Sequence, residues 1–304
     1  MRPVALIILN WNRRQDTLRC LASLERNSYP DIDIIVVENA STDDTVEAVR
    51  AAHPEVRIIE NPANLGYAGG NNTGIEAALR ENYEYILVLN NDTIVDPDAI
   101  ARLVRLAERH PEAGIVAPVI CYLDDPERVW AAGGTIDWQR GHVASSYLNA
   151  PVSDVPRNPF TTEHVTGCCM LLRAEAIRKA GLINPRFFLY FEETEWCVRI
   201  ARAGFRIMVE PSARIWHAIH PDEREGSPAI AYYMTRNRLL FLKLTGAPPT
   251  TRLRVLAGQL RTVASLYLRR HSAARIRGRR PMLRAIRDHA VGRYGPAPIA
   301  RFIP

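Results

Sequence analysis

Short apolar runs alternate with amphipathic segments along the first 120 residues of the chain. Each run is four to seven residues long, which is typical of buried strands. The segments between the runs carry apolar residues at spacings of three and four, which is typical of helices packed on a sheet. This alternation predicts an α/β fold with a doubly wound, mostly parallel sheet. The predicted strands cover residues 4–10, 32–37, 56–59, 86–89 and 113–119.

Polar residues after these strands indicate where the helices begin. Ser41 or Thr42 can cap the helix after the second strand. Asp96 can cap the helix after the fourth strand, with Pro97 in its first position. We expect the first helix to start at residue 16, and the first three helices to end near residues 24, 49 and 80.

The second half of the chain has a less regular pattern. Glycine and proline are frequent between residues 121 and 162, where we expect a long, partly β insertion. Beyond it the pattern predicts a strand over 165–173, a helix over 174–180 that stops at Gly181, a helix that ends at Gly204, and strands over 205–210 and 215–220.

Positive charge is concentrated at the C-terminus. The 304 residues carry a net charge of +6, yet the part from Arg236 onward has sixteen basic residues and one acid, which leaves −9 on the first 235 residues. Such a basic segment indicates an anionic partner, either membrane or nucleic acid. We expect no membrane span or signal peptide, because no apolar run reaches about 18 residues. The five cysteines lack a CxxC spacing, which favours free thiols in a cytoplasmic protein.

The end of the fourth strand is the first candidate site. That strand ends in Asn90, Asn91, Asp92 and Thr93, and open α/β sheets bind ligands at the carboxyl ends of their strands. Asp92 is therefore either an acidic turn residue or a ligand for a metal and a diphosphate. His217, on the last apolar run, is either a core histidine or, if it lies near Asp92, a second ligand for Mn²⁺ or Mg²⁺.

The glycine-rich stretch 61–74 does not match the dinucleotide-binding fingerprint. That fingerprint is GxGxxG after the first strand, whereas these glycines follow the third strand with a different spacing. The stretch is either a tight turn or a helix start whose backbone N–H groups approach a ligand closely.

Three carboxylates follow the aromatic run FFLYF (187–191). Glu192, Glu193 and Glu195 lie at the start of a predicted helix. The helix macrodipole favours acids at this position, so one interpretation is structural. An apolar approach would also desolvate a carboxylate and raise its pKa, which suits a general base. We favour the base.

In this order the motifs resemble those of the inverting family-2 glycosyltransferases, in the branch that includes bacterial rhamnosyltransferases. The resemblance runs from about residue 3 to residue 244, and the ordered set is far more specific than any one motif. It is carried by ILNWN (8–12), VVENASTDDT (36–45), NLGYAGGNNTGI (64–75), LVLNNDT (87–93), GCCMLLR (167–173), FFLYFEETEWCVRIARAG (187–204), IWH (215–217) and YYMTRNRLLFLK (232–243).

The resemblance implies a GT-A fold, a nucleotide-sugar donor and a divalent metal, Mn²⁺ or Mg²⁺. Asp92 matches the second acid of the DxD motif, with Asn90 in place of the first, and His217 matches the third metal-contacting position. Glu38 matches the acid that reads the donor base, where the family usually has Asp, and Trp11 matches an aromatic residue that stacks on the base. The implied donor-binding residues are Asn10, Trp11, Glu38, Asn39, Asn64, Gly66, Asn72 and Asn91.

Glu193 matches the catalytic base, which is usually Asp in this family. In the implied reaction Glu193 accepts the proton of an acceptor hydroxyl, whose oxygen displaces the nucleoside diphosphate in line. The anomeric configuration therefore inverts, with no covalent intermediate. The implied catalytic domain covers residues 1–245, with donor binding in about 1–120 and acceptor binding and catalysis in 121–245, and a basic helical extension covers 246–304.

The resemblance favours rhamnose from dTDP-rhamnose, with UDP- or GDP-linked sugars as alternatives. The expected acceptor is a glycan or lipid-linked sugar of cell-surface polysaccharide synthesis. Two other classes of protein are the alternatives. A nucleotidyltransferase would need a basic, glycine-rich signature after the first strand, and residues 10–14 lack the glycines. A non-catalytic glycan-binding protein would not need Asp92, Glu193 and His217 together.

The C-terminal extension combines arginines with an apolar helix face. That face either packs on the catalytic domain or lies on anionic lipid at the cytoplasmic side of the membrane. We favour the membrane, because packing needs no excess of charge. One aromatic residue between Arg252 and Arg287 is too few to stack bases, so no nucleic-acid partner is expected. The predicted face consists of Leu253, Leu256, Leu260, Val263, Leu266 and Tyr267, and the arginines that flank it are at 252, 254, 261, 269 and 270.

Overall fold

The computed structural model describes residues 2–219, 227–268 and 276–297. Within these residues, ten strands form one sheet and two form a separate hairpin. The strands are β1 (Val4–Asn10), β2 (Ile32–Glu38), β3 (Arg57–Glu60), β4 (Tyr85–Asn90), β5 (Thr93–Val95), β6 (Ala113–Tyr122), β7 (Val129–Ala131), β8 (Gly134–Asp137), β9 (His142–Ser145), β10 (Phe160–Thr161), β11 (Cys169–Arg173) and β12 (Arg206–His217).

The main sheet is mixed but mostly parallel in its central part, as predicted. Its order is β10-β12-β6-β11-β4-β1-β2-β3, with β5 paired to β12 and β7 to β6. Strands β1, β2, β3 and β4 run parallel, and so do β6 and β12. Strand β11 joins these two parallel groups by running antiparallel to both β4 and β6.

Helices cover both faces of the sheet, because side chains of the buried strands alternate between two apolar clusters. Leu6 of β1 belongs to one cluster with residues of α1, α2 and α4, and Ile7 belongs to the other with residues of α3, α5 and α6. The helices are α1 (Arg14–Leu24), α2 (Thr45–Ala52), α3 (Gly66–Arg80), α4 (Ala99–Arg109), α5 (Ala174–Ala180), α6 (Glu192–Arg202), α7 (Pro228–Leu244), α8 (Pro249–Leu268) and α9 (Arg279–Ala290).

Two predicted helix starts are wrong. Helix α2 begins at Thr45 and is capped by neither Ser41 nor Thr42, because Ser41 Oγ donates to the Glu38 carboxylate instead. Helix α4 begins at Ala99, because Asp96 first closes a turn in which its Oδ1 accepts from Asp98 N at 3.0 Å. The remaining helix bounds lie within three residues of the predictions, and the largest difference is at the end of α2, which is Ala52 instead of a residue near 49.

Two predicted strands form one long strand. The runs 205–210 and 215–220 are both part of β12, which ends at His217 and shifts register between Glu210 and Arg214. This bulge absorbs the polar residues that separate the two apolar runs. His220 lies outside the described residues. The predicted strand 165–173 is also shorter, because β11 begins at Cys169.

Helices α7, α8 and α9 pack against one another after the sheet ends. Ser227 caps α7, with its Oγ accepting from Ile230 N at 3.5 Å, and Pro228 occupies the first helical position. None of the helices in the described ranges is both long and apolar enough to span a membrane. All five cysteines are buried free thiols, as predicted.

Candidate active site

The carboxyl ends of β1, β2 and β4 bring three predicted donor-binding residues together. Asn10 and Glu38 are in register across β1 and β2, and both are buried. Asn10 Nδ2 donates to the Glu38 carboxylate, while Asn10 Oδ1 accepts from Thr17 Oγ1 at 2.7 Å and from Asn91 Nδ2 at 3.1 Å. Ser41 N also donates to Glu38, at 2.7 Å. Thr17 and Ser41 therefore belong to this cluster, although nothing in the local sequence pattern indicated it.

A second group of predicted residues surrounds the start of α3. Asn39 Nδ2 donates to Asn64 Oδ1 at 3.0 Å, and Asn39 Oδ1 accepts from Leu65 N at 3.0 Å. Asn64 Oδ1 also accepts from Gly66 N at 2.8 Å. Gly66 has a φ of +70°, and a Cβ there would collide with the carbonyl oxygen of Phe188. Asn39, Asn64 and Gly66 thus form one edge of the predicted donor-binding region, and we call it the donor edge.

Trp11 and Asn72 lie apart from both clusters. Trp11 follows Asn10 at the sheet edge, and its side chain is 55% exposed, so the indole is accessible to a planar ligand. Asn72 lies nearly two turns into α3, where its Nδ2 donates to Ile183 O at 2.8 Å and its Oδ1 accepts from Ile183 N at 3.0 Å. The amide of Asn72 therefore joins α3 to the segment after α5.

The metal-binding candidates are adjacent. Strand β5 pairs antiparallel with β12 and places His217 opposite Thr93, so the turn after β4 meets the end of β12. His217 Nε2 lies 3.0 Å from Asp92 Oδ1, but the two atoms do not form a hydrogen bond, and both are buried without a hydrogen-bond partner. Ala218 N donates to the main-chain carbonyl of Asp92 at 2.8 Å, which fixes the turn. The Trp130 ring lies 4.5 Å from the imidazole and covers it.

Asp92 and His217 offer two adjacent ligand atoms that fit a divalent cation. A buried carboxylate oxygen and imidazole nitrogen with no partners are both suitable ligands for Mn²⁺. Among the described residues, no group of three or more His, Cys, Asp or Glu side chains could hold a metal. Within the described ranges, the protein ligands that this site offers are therefore these two side chains.

Glu192 and Glu193, which we call the acidic pair, begin α6 in a desolvated setting. Oε2 of each is buried without a hydrogen-bond partner. Burial raises the pKa of Glu193, and burial together with the charge of Glu193 raises the pKa of Glu192 well above its usual range. Glu195 differs, because its two oxygens accept from Arg199 Nε at 2.9 Å each. The candidates for a base are therefore the acidic pair, and Glu195 has a structural ion pair.

The segment before β11 is hydrogen-bonded both to the turn at Asp92 and to helix α3. Asn90 N donates to Cys168 O at 2.9 Å, and Tyr67 Oη donates to Gly167 O at 2.5 Å. Burial and the charges of the acidic pair raise the pKa of Tyr67 well above its usual range, so the phenol lies within reach of their field. Tyr67 is a further site residue that sequence analysis missed, because its partners are about 100 residues away.

The mostly parallel sheet, the polar cluster at the ends of its strands, the carboxylate–imidazole pair and the desolvated acidic pair are the arrangement that the resemblance to GT-A glycosyltransferases implies. The chain belongs to glycosyl transferase family 2, whose sequence profile matches residues 5–181. This membership decides against the nucleotidyltransferase and the non-catalytic alternatives.

Curated relatives include two rhamnosyltransferases. The chain is similar to the N-acetylglucosaminyl-diphospho-decaprenol L-rhamnosyltransferase of Mycobacterium tuberculosis strain H37Rv, with 29% identity over 227 residues that cover 66% of this chain and 70% of that protein. It is also similar to the dTDP-rhamnosyl transferase RfbF of Shigella flexneri, with 23% identity over 265 residues that cover 80% of each chain. These similarities support the predicted rhamnosyltransferase-like branch.

Two solved structures share the fold. A mannosyltransferase from Pyrobaculum calidifontis, in complex with GDP-mannose and Mn²⁺, has a TM-score of 0.59 and 18% identity, and the match covers 100% of this chain and 79% of that one. GalNAc-T7, with UDP, GalNAc and Mn²⁺, has a TM-score of 0.61 and 14% identity, and the match covers 88% of this chain and 58% of that one. The predicted GT-A fold is confirmed.

Proposed function

We propose that the enzyme transfers rhamnose from dTDP-rhamnose to a hydroxyl of a glycan or lipid-linked acceptor, with inversion, in cell-surface polysaccharide synthesis. The observation that carries this proposal is that the Asp92–His217 pair and the acidic pair both present buried side-chain atoms without a hydrogen-bond partner. The choice of sugar is supported by the names of the two rhamnosyltransferase relatives. A UDP- or GDP-linked sugar is the alternative.

In this proposal the nucleotide lies along the carboxyl edge of β1, β2 and β4. Trp11 stacks on the nucleotide base. The Glu38 carboxylate accepts a hydrogen bond from an N–H of the base, and Asn10 and Ser41 hold that carboxylate in place. The donor edge lines the other side of the pocket. Asn91 Nδ2 donates to Asn10 Oδ1 and thereby holds the Asn10 amide in place. Asn72 stays a predicted donor-binding residue, but its bonds to Ile183 favour an indirect role in placing α3.

Asp92 and His217 would hold Mn²⁺ or Mg²⁺ in this proposal. The bound cation would supply Lewis-acid stabilisation to the departing diphosphate. Glu193 takes the proton of the acceptor hydroxyl, and its raised pKa brings it nearer to the working pH, which favours a general base.

A thermal-shift panel of nucleoside diphosphates tests the donor. We expect dTDP with Mn²⁺ to raise Tm more than UDP, GDP or CDP, because at equal concentration the nucleotide with the lowest Kd stabilises the folded enzyme most. A ligand at 100 times its Kd stabilises by about 2.7 kcal/mol. The matched control is Glu38→Gln, which should reduce the preference among bases while keeping the response to Mn²⁺. A largest shift with UDP or GDP would replace dTDP-rhamnose, and no shift with any of them would contradict the nucleotide-sugar donor.

We further propose that α8 attaches the enzyme to anionic membrane. The predicted apolar face is divided: Val263 and Leu266 are buried against the neighbouring helices, whereas Leu253, Leu260 and Tyr267 are exposed. The three exposed residues are seven apart and share one side of the helix.

Positive charge accompanies this exposed stripe, which runs through Leu253, Leu260 and Tyr267. Arg254 and Arg261 follow it along one flank, and the Arg279 guanidinium lies 4.8 Å from the Tyr267 ring centre. Each basic residue near an anionic surface contributes about 1 kcal/mol, so the stripe and its flank fit an interfacial helix. The predicted flanking residues Arg269 and Arg270 lie outside the described ranges.

Vesicle sedimentation tests the membrane proposal. We expect the enzyme to sediment with anionic vesicles at low salt, and Leu253→Gln with Leu260→Gln to weaken this binding at least about tenfold, since two exposed leucines would no longer enter the lipid. Leu148→Gln is the matched control, because Leu148 is an exposed leucine of the insertion. Equal binding to neutral and anionic vesicles, or none to either, would contradict the proposal.

A further inference from the structure

The loop before the acidic pair has an unusual backbone. Within residues 186–191, Phe188, Tyr190 and Phe191 have φ angles of 67°, 69° and 72°. Bulky residues rarely adopt this left-handed conformation, because Cβ crowds the neighbouring backbone. Phe191 is also the residue that leads into α6, so the conformation of this aromatic loop sets the position of Glu193. Contacts from outside the loop are needed to hold it.

Asn237 of α7 supplies one set of these contacts. Its Nδ2 atom lies 2.9 Å from Phe187 O, 2.7 Å from Leu189 O and 2.9 Å from Tyr190 O, and the residue is fully buried. Three carbonyl oxygens of one loop therefore converge on one amide nitrogen. An apolar side chain of the same shape would leave buried carbonyl groups without a donor.

Arg236 joins the aromatic loop to α7 and to the segment after α9. The fully buried guanidinium donates from Nη2 to Phe187 O at 2.9 Å and from Nη1 to Gly295 O at 2.7 Å. Its Nε donates to Asn237 Oδ1 at 2.9 Å, which directs the Asn237 nitrogen toward the loop. Gly295 N in turn donates to Arg186 O at 2.8 Å. The C-terminal helices are thus attached to the loop that carries the acidic pair.

The opposite side of the aromatic loop touches the donor edge. The carbonyl of Phe188 occupies the space that a Cβ of Gly66 would need, and the Phe188 ring stacks on Tyr233 with centroids 5.4 Å apart. The loop is therefore enclosed between the donor edge and α7.

We propose that Arg236 and Asn237 are positioning residues for the catalytic base. They hold the aromatic loop in its left-handed conformation and thereby set the direction of the Glu193 carboxylate relative to the donor edge. This inference rests on the proposed role of Glu193 as the base.

The principal test is Asn237→Leu, which removes the donor and keeps the volume. We expect kcat to fall on the order of 100-fold with the donor KM within about threefold, because a shift of about 1 Å at a reacting group has that effect. Adding Tyr190→Gly should restore kcat at least about tenfold, since glycine adopts a positive φ without crowding. Tyr190→Gly alone is measured as the reference.

Gln259→Leu is the matched control. Gln259 Nε2 donates to Thr235 O at 3.0 Å between α8 and α7, so this change also removes a buried amide donor but leaves the aromatic loop untouched. We expect it to lower Tm and leave kcat unchanged. A kcat for Asn237→Leu within threefold of wild type, or a loss of kcat that parallels a loss of donor binding, would overturn the proposal. If Asn237→Leu does not fold, Arg236→Lys is measured against the same two criteria.

Hydrogen–deuterium exchange separates this proposal from the proposed function, because it requires no turnover. In Asn237→Leu, or in Arg236→Lys where that variant replaces it, amides 187–196 should exchange faster than in Gln259→Leu. Faster exchange supports the role of Arg236 and Asn237 in holding the loop even where Glu193 proves not to be the base. Equal exchange in the variant and the control overturns it.

Discussion

Glu193→Gln should abolish sugar transfer and leave donor binding intact. Glutamine keeps the volume of the side chain but cannot accept the proton of the acceptor hydroxyl. General base catalysis contributes 10²–10⁴-fold, so we expect kcat to fall on the order of 10³-fold. The measurement is kcat with the donor that the thermal-shift panel identifies, together with nucleoside diphosphate binding by titration calorimetry.

Two neighbouring carboxylates provide matched controls for Glu193→Gln. Glu195→Gln weakens the ion pair with Arg199, so it should lower Tm and leave kcat close to that of the wild type. Glu192→Gln removes the other ionisable group of the acidic pair and leaves Glu193 in place, so any change in kcat should be smaller than that of Glu193→Gln. Turnover of Glu193→Gln within tenfold of wild type would contradict its role as the base, and a larger loss in Glu192→Gln would transfer that role to Glu192.

The pH dependence of wild-type activity follows from the same burial. A general base acts when it is deprotonated, and burial raises the pKa of Glu193 above that of an ordinary glutamate. Activity should therefore decline as the pH falls through this raised pKa, at a higher pH than an exposed glutamate would give. Glu193→Gln should lack this decline in its residual activity.

The strands were the most predictable part of the fold. Strand β1 has the bounds that its apolar run predicts, because a strand covered on both faces needs nearly every side chain to be apolar. The sequence predicts two strands in place of β12, because Pro211 and Ser212 are typical of a turn between strands. In the structure Ser212 N donates to Glu210 Oε1 at 3.0 Å, and a bulge carries the strand past these residues.

The candidate site could be predicted where a motif coincides with the end of a strand or the start of a helix. Glu38 and Asp92 follow apolar strands, so sheet topology alone brings them to one edge. Asn64 and Asn72 share one motif, yet the helical rotation between them directs Asn72 to Ile183 instead. The bonds of Asn237 to a loop about 50 residues earlier leave no periodic signal in the chain.

Asp92→Ala should weaken donor binding and lower kcat together. Asp92 Oδ1 and His217 Nε2 lie 3.0 Å apart and are both buried without a hydrogen-bond partner, and the carboxylate supplies the only formal negative charge of the pair. The diphosphate should therefore be needed for tight metal binding, so Mn²⁺ and nucleoside diphosphate should each increase the affinity for the other. Removal of Asp92 should lower kcat on the order of 10²-fold and abolish this mutual effect.

Titration calorimetry of the nucleoside diphosphate, with and without Mn²⁺, measures this coupling without turnover. Asp96→Ala is the matched control, because Asp96 belongs to the same region but its Oδ1 accepts from Asp98 N, at 3.0 Å.

EDTA should reduce wild-type activity, and added Mn²⁺ should restore it. Full activity in EDTA would mean that protein cations stabilise the diphosphate. Arg236 is a poor candidate for that role, because its guanidinium already donates to the carbonyls of Phe187 and Gly295. Full activity in EDTA would in either case contradict the proposed metal site and leave Asp92 as an acidic turn residue.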